Sequence, residues 1–188
     1  VFVDLDNINN KITKKSIESC FQKNNWSGCF ANQEVGYYDI FALRANNWNS
    51  VDCFAEIYKD NINSFSYIQE DFQMDYLFEK HVLKKMRKIK KDSEWIEVNS
   101  AFGGIGIYKY EDIKNNFYDL TPSKSEYEYE CEHVNFNNRI IENGGKLFIN
   151  PGFINSKYNE HNKRLKKRFL YLDKLRRFNT LRKDPFNL

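Results

Sequence analysis

Residues 1–9 read Val-Phe-Val-Asp-Leu-Asp-Asn-Ile-Asn, an apolar run that opens into two carboxylates, Asp4 and Asp6. A short run of β-prone apolar residues predicts a strand. Two carboxylates directly after a strand can converge on one divalent cation, because hard cations prefer oxygen ligands. The same pair is also common in turns and solvated loops. The preceding apolar run favours the metal interpretation, and it predicts a strand that leads into a metal site.

This stretch stands at an unusual place for a strand inside a sheet. Such a strand normally has chain before it that builds its neighbours, and residue 1 is Val rather than an initiator Met. We therefore expect further sequence upstream of Val1, with residues 1–188 forming the later part of a domain.

The composition indicates a folded protein with one principal domain. The chain has 188 residues, of which 41% are hydrophobic and 16% aromatic, enough to build a core. A formal net charge of +3 is too small to indicate a nucleic-acid partner, and we expect none. The four cysteines have no Cys-x-x-Cys spacing, which argues against a zinc site; their sequence positions are Cys20, Cys29, Cys53 and Cys131. We expect buried free thiols rather than disulfides.

Strands and helices alternate along the chain, which predicts an α/β fold with a mixed sheet flanked by helices. The predicted strands cover residues 1–3, 29–31, 37–43, 95–100, 105–108 and 146–149, the last of them stopping at Pro151. The predicted helices cover residues 12–21, 72–86, 131–142 and 162–182, with Gly144 and Gly145 closing the third. No apolar run is long enough for a membrane-spanning helix.

Three metal-dependent classes share a strand followed by Asp-x-Asp. A haloacid-dehalogenase-like phosphatase would use Asp4 as its nucleophile, but it also needs a Thr after the second Asp and a late acidic pair. Here Asn7-Ile8-Asn9 follows the second Asp. A PIN-like nuclease needs further acidic strand ends, and the chain lacks that set. The third class is the GT-A type of nucleotide-sugar glycosyltransferase.

Three later stretches bear on this choice: Tyr37-Tyr-Asp-Ile-Phe-Ala-Leu-Arg44, Asn99-Ser-Ala-Phe-Gly-Gly-Ile-Gly-Ile-Tyr108 and Glu130-Cys-Glu-His-Val134. Together with Asp4-Leu-Asp6, they resemble an Asp-x-Asp glycosyltransferase family of the GT-A type found in large DNA viruses. More distantly, they are similar to fungal capsule-associated mannosyltransferases. The order of the motifs carries this resemblance. It implies a catalytic and acceptor-side portion of a GT-A-like domain over residues 1–155, followed by a basic helical extension over 156–188.

The resemblance implies a role for each motif. A Mn²⁺ or Mg²⁺ ion would bind the donor diphosphate, with Asp4 and Asp6 as its ligands and His161 as a third. Glu132 would be the base that takes the proton of the acceptor hydroxyl. The implied substrate-binding residues are Asp39, Arg44, Gly103, Gly104 and His133. The partners would be a nucleotide-sugar donor and a glycan or glycoprotein acceptor.

Structural roles remain open for several of these residues. Glu132 also suits a helix N-terminus, where the helix dipole favours an acid, and Glu130 competes with it for the base role. Asp39 and Arg44 are interpreted either as ligand contacts or as a structural ion pair. His161 equally suits an exposed loop, and Trp48 and Trp95 suit either sugar stacking or the core.

Alternative interpretations also remain open for the predicted C-terminal helix and for the activity. Residues 162–182 combine a basic surface with one Leu/Phe face, which suits either a peripheral contact with anionic lipid or packing against the protein. Location in the cytoplasm of an infected host cell and at a secretory-pathway membrane are both compatible with the resemblance. We expect a metal-dependent hexosyltransferase, with a phosphatase or a non-catalytic glycan-binding remnant as the alternatives.

Overall fold

A five-stranded mixed sheet forms the centre of the protein, which we describe from a computed structural model. The structure describes residues 1–63, 70–119 and 130–162, apart from the side chains of residues 63 and 70–72. The strands are β1 (Phe2–Val3), β2 (Gly28–Gln33), β3 (Ile96–Val98), β4 (Ile105–Tyr108) and β5 (Leu147–Ser156). Their order across the sheet is β1-β4-β2-β5-β3. The predicted α/β class with a mixed sheet is confirmed.

Helices flank this sheet. They are α1 (Lys14–Glu18), α2 (Cys53–Asn63), α3 (Glu70–His81), α4 (Tyr110–Ile113) and α5 (Glu132–Glu142). Short 3₁₀ turns cover Ser19–Phe21 and Leu83–Lys85. A capping box starts α1, because the Thr13 side chain accepts from the Ser16 N–H and the Ser16 hydroxyl accepts from the Thr13 N–H. Gly144 follows α5 with a φ of 82°, the left-handed conformation that commonly ends helices.

The strand directions decide which ends of the strands meet. β2 pairs in parallel with β5, whereas β4 pairs antiparallel with both β1 and β2. The strands β1, β2 and β5 therefore run in the same direction, and their carboxyl ends lie at one edge of the sheet. Ligand sites of open α/β sheets form at that edge.

The strand predicted over residues 37–43 is wrong. These residues form a buried loop with turns, in which the Ile40 N–H donates to Tyr38 O and the Ala42 N–H donates to the Asp39 carboxylate. Tyr37 and Leu43 are fully buried in the main core. The aromatic and aliphatic side chains of this segment pack in the core without pairing to a neighbouring strand. Because β-propensity largely reflects burial, the same residues also resembled a strand in the sequence.

The predicted stop at Pro151 is also wrong, because β5 continues to Ser156. The pairing with β2 moves from Phe30 opposite Ile149 to Asn32 opposite Ile154, so extra residues of β5 bulge between these two points. A bulge accommodates Pro because its missing N–H need not join the ladder.

Other expectations agree with the structure. The helices predicted near residues 12–21, 72–86 and 131–142 are present, and all four cysteines are buried and free. Within residues 1–63, 70–119 and 130–162, no helix combines the length and the hydropathy of a membrane span. The predicted helix over residues 162–182 lies, except for Asn162, outside the described residues.

Candidate active site at the carboxyl edge of the sheet

The Asp-x-Asp segment leaves β1 and is held against the start of β4. The Asp4 N–H donates to Gly104 O at 2.9 Å, and the Asn9 side-chain amide donates to both Asp4 O and Gly104 O. Asn7 has a φ of 66°, a left-handed conformation that Asn tolerates better than most residues. The backbone of the segment is thus fixed, while the side chain of Asp6 remains exposed.

Beneath this segment lies a buried cluster of side-chain amides. The fully buried Asn155 donates to Gly103 O and to Asn9 Oδ1, each at 2.8 Å. The equally buried Gln33 donates to Gly103 O at 3.0 Å and to Asn155 Oδ1 at 2.9 Å, and it accepts from the Tyr38 N–H. The cluster joins the ends of β2 and β5 to the Asp-x-Asp segment. Polar residues inside the apolar β5 sequence were the only sign of it.

Gly103 and Gly104 form the turn that precedes β4. Both have positive φ, 69° and 89°. A Cβ on Gly103 would lie 2.9 Å from Ala31 O, and a Cβ on Gly104 would lie 2.4 Å from Ile8 Cδ1. Protein atoms therefore fill the space that these glycines leave. The Gly103 N–H donates to the Asp39 carboxylate at 2.9 Å, so the turn also orients Asp39.

An open cavity of about 590 Å³ lies at the carboxyl edge of the sheet. Its titratable lining consists of Asp4, Asp6, Asp39, Glu132, His133, Glu160 and His161, together with Tyr38 and the Cys53 and Cys131 thiols. The apolar part of its wall includes Phe41, Phe54 and Met86. Six of the residues predicted to form the site thus meet at one cavity, although they are far apart in sequence. Arg44, Gly103 and Gly104 are not among its lining residues.

One group of exposed side chains within this cavity could hold a metal ion. Carboxylate oxygens of Asp6 and Glu160 and a ring nitrogen of His161 all lie within 4.8 Å of one another. The ring of His161 stacks on Tyr38, with centroids 5.1 Å apart. Carboxylates are the side chains that Mn²⁺ and Mg²⁺ prefer, and the imidazole would be the third ligand. Sequence reasoning missed Glu160, although it directly precedes His161.

Asp4 belongs to the same cavity but not to that group of three. Burial, followed by the negative charge of Asp6, raises the pKa of Asp4 from 3.8 to about 6. Asp39 and Glu132 add to this repulsion. A divalent cation in the cavity would offset the accumulated negative charge, so the electrostatics also fit a metal site.

Glu132 and His133 enter the cavity from the first turn of α5. The His133 ring stacks on Phe102 with centroids 3.9 Å apart, and its Nδ1 lies 3.1 Å from the Tyr118 hydroxyl. Its Nε2 lies 3.7 Å from Glu132 Oε1. Burial lowers the pKa of His133, which makes the neutral imidazole the prevailing form near neutral pH.

Arg44 lies outside the cavity and holds the buried loop in place. Its guanidinium pairs with Asp52 at 2.9 Å and with Glu130 at 3.3 Å, and it donates to Phe41 O and Leu43 O. The ion pair is therefore structural, with partners other than Asp39. Glu130 is engaged in it as well.

The two tryptophans considered for sugar stacking pack within the protein. Trp48 contacts the Tyr37 ring and donates to Lys85 O, and Trp95 contacts the Phe148 ring. Neither is among the lining residues of the cavity.

Comparisons of the chain with protein-family models, with curated proteins and with solved structures find no match.

Proposed function

We propose that this protein is a metal-dependent glycosyltransferase that moves a hexose from a nucleotide sugar to a hydroxyl group of a glycan or a protein. One observation carries the proposal. The Asp-x-Asp segment, the Asp6–Glu160–His161 group and the Glu132 carboxylate all face the same cavity. Such a cavity offers oxygen and nitrogen ligands for a cation at one side and a carboxylate base at another, and sugar transfer from a diphosphate needs both.

In the proposed reaction, each group of residues has its own role. Asp6, Glu160 and His161 would hold Mn²⁺ or Mg²⁺, with Asp4 beside them, and the ion would neutralise the departing diphosphate. The Glu132 carboxylate accepts the proton of the acceptor hydroxyl. The acceptor oxygen then forms its bond to the anomeric carbon while the bond to the diphosphate oxygen breaks.

Asp39 has a supporting part in this scheme. One of its oxygens accepts from the Gly103 N–H and the other from the Ala42 N–H, so its carboxylate has a fixed direction. It lines the cavity, where it can accept a hydrogen bond from a sugar hydroxyl.

The phosphatase alternative receives less support from the geometry. It requires Asp4 to attack phosphorus beside the bound cation. Asp4 lies outside the group of three residues whose ligand atoms lie within 4.8 Å of one another.

The decisive experiment measures nucleoside diphosphate release. The full-length protein is incubated with Mn²⁺ and a panel of nucleotide sugars, with and without mixed glycan acceptors. We expect release that requires the metal and that is abolished in Asp6→Asn and in Glu132→Gln. Glu97→Gln, a change to an exposed acid on β3, is the matched control and retains full activity.

The alternatives predict different results in the same series. Release that persists in a chelator would contradict the metal-dependent mechanism. Hydrolysis of a simple phosphomonoester, lost in Asp4→Asn, would support the phosphatase. Metal-independent glycan binding that survives replacement of both Asp4 and Asp6, without release from any donor, would identify a glycan-binding protein.

A further inference from the structure

Two residues of the cavity lining, Glu132 and His133, are joined in a chain of contacts by Tyr118, which is not itself a lining residue. The Tyr118 hydroxyl lies 3.1 Å from His133 Nδ1, and His133 Nε2 lies 3.7 Å from Glu132 Oε1. We propose that Tyr118 and His133 are positioning residues for Glu132, with Tyr118 donating to Nδ1 and His133 directing its Nε2–H at the carboxylate. This inference rests on the proposed function, in which Glu132 is the base.

Ring packing holds His133 and Tyr118 in place. The His133 ring stacks on Phe102 with an interplanar angle of 18°, and the Tyr118 ring meets it edge-on at 84°. Tyr118 is itself stacked on Phe136, with centroids 4.5 Å apart, and contacts the edge of Phe2. Removal of the Tyr118 hydroxyl alone would leave these ring contacts intact.

The surrounding groups select one tautomer of His133. Besides Tyr118, the titratable groups that act on the ring are Glu132 on its own helix and Asp39 on the buried loop. Ionised carboxylates only accept hydrogen bonds, and a neutral imidazole has one donor and one acceptor nitrogen. The Nε2 atom beside Glu132 should therefore carry the proton, which leaves Nδ1 to accept from Tyr118.

The protonation states agree with this assignment. Burial lowers the pKa of His133, which favours the neutral ring. Burial also raises the pKa of Tyr118, so its hydroxyl keeps the proton that it donates.

The separation of Nε2 and Oε1 is longer than a hydrogen bond, as is common for catalytic contacts before the substrate is bound. The Glu132 side chain is 46% exposed, so packing alone does not fix its orientation. A directed N–H from a rigid ring would restrict the carboxylate to the orientation that accepts the acceptor proton. In this arrangement Tyr118 acts on the carboxylate through His133.

The first test reads the tautomer directly. The chain has three histidines, so ¹⁵N-histidine labelling of the full-length protein gives NMR signals from three imidazole rings. The signals that disappear in His133→Gln belong to His133. We expect a neutral ring near neutral pH with the proton on Nε2. In Tyr118→Phe, the signals should show a mixture of tautomers. A proton on Nδ1 in the unaltered protein, or a charged ring at that pH, would overturn the proposal.

The second test separates positioning from binding. Tyr118→Phe should lower kcat about tenfold, because proton transfer to a positioned base contributes a large factor to the rate. The KM for the donor should stay unchanged, since the residues proposed to hold the diphosphate and the ion are untouched. Tyr110→Phe is the matched control, because Tyr110 is 71% exposed and is not among the residues that line the cavity.

Two substitutions of His133 complete this test. His133→Gln retains a side-chain N–H and should recover part of the kcat that His133→Phe loses, although Phe keeps an aromatic ring against Phe102. Equal kcat values for the Tyr118→Phe and Tyr110→Phe variants would contradict the positioning role. If the unaltered protein releases no nucleoside diphosphate from any donor, the proposed function fails, and the tautomer alone then decides whether Tyr118 and His133 are paired as proposed.

Discussion

Asp4 links the electrostatics of the cavity to the stability of the fold. Its pKa is raised from 3.8 to about 6, first by burial and then by Asp6. Near pH 3.5 and below, the carboxyl is mostly protonated in both the folded and the unfolded chain. As the pH rises from about 4 to about 6, the unfolded chain ionises while the folded chain stays largely protonated, so the folded state loses relative stability. The full linkage value is about 3 kcal/mol, and screening around this half-buried group reduces it to about 1 kcal/mol.

Asp4→Asn should therefore stabilise the metal-free protein near neutral pH by about 1 kcal/mol and leave it unchanged near pH 3.5. Urea unfolding in a chelator at the two pH values measures the difference. The acidic measurement is the internal control, because an Asn resembles a protonated Asp. A stabilisation of equal size at both pH values would show that neither the burial of the Asp4 charge nor its repulsion by Asp6 is the cause.

The sequence predicts the position of some site residues but not of others. Asp4 and Asp6 could be placed because they directly follow an apolar run that forms a strand. Glu160 could not, because only the folded chain brings the segment after β5 to Asp6. Arg44 was open between two roles, and the partners that give it a structural one, Asp52 and Glu130, come from separate segments.

At the scale of elements, the turn between Gly103 and Gly104 shows what a short motif can and cannot predict. Paired glycines before a strand indicate a tight turn, and the structure has one with positive φ at both positions. The sequence did not show that the turn packs against β2 and orients Asp39. The prediction of a strand over residues 37–43 was wrong for a related reason, since only tertiary contacts distinguish a buried loop from a central strand.

A pair of glycine substitutions tests how tightly this turn is packed. Gly103→Ala and Gly144→Ala both place a side chain at positive φ, which costs about 1 kcal/mol in each case. The new Cβ at position 103 would also lie 2.9 Å from Ala31 O, whereas a Cβ at position 144 would have no such neighbour within 4 Å. We expect a loss of about 3 kcal/mol for Gly103→Ala and about 1 kcal/mol for Gly144→Ala.

Chemical denaturation of the two variants measures this difference. Gly144→Ala is the control because it carries the same backbone strain at the end of α5 without the clash. Equal losses would mean that the turn yields to a side chain and that close packing against β2 does not fix it.

At the scale of the whole molecule, the direction of three strands assembles the site. β1, β2 and β5 run the same way, and Asp4 and Asp6, then Asp39, then Glu160 and His161 follow their respective carboxyl ends. The alternation of strands and helices predicted the fold class. It did not predict strand order, because pairing between distant segments leaves no periodic signal in the sequence.

This assembly predicts that a bound cation stabilises the entire fold. A ligand that binds only the folded state adds about 2.7 kcal/mol at a hundred times its Kd, which raises the Tm of a domain of this size by about 5 to 10 °C. We expect that shift with Mn²⁺, measured by thermal unfolding. Because Asp6, Glu160 and His161 come from two distant segments, Asp6→Asn, Glu160→Gln and His161→Gln should each remove most of it. Glu97→Gln should keep it, and a full shift in Glu160→Gln and His161→Gln would place the cation elsewhere.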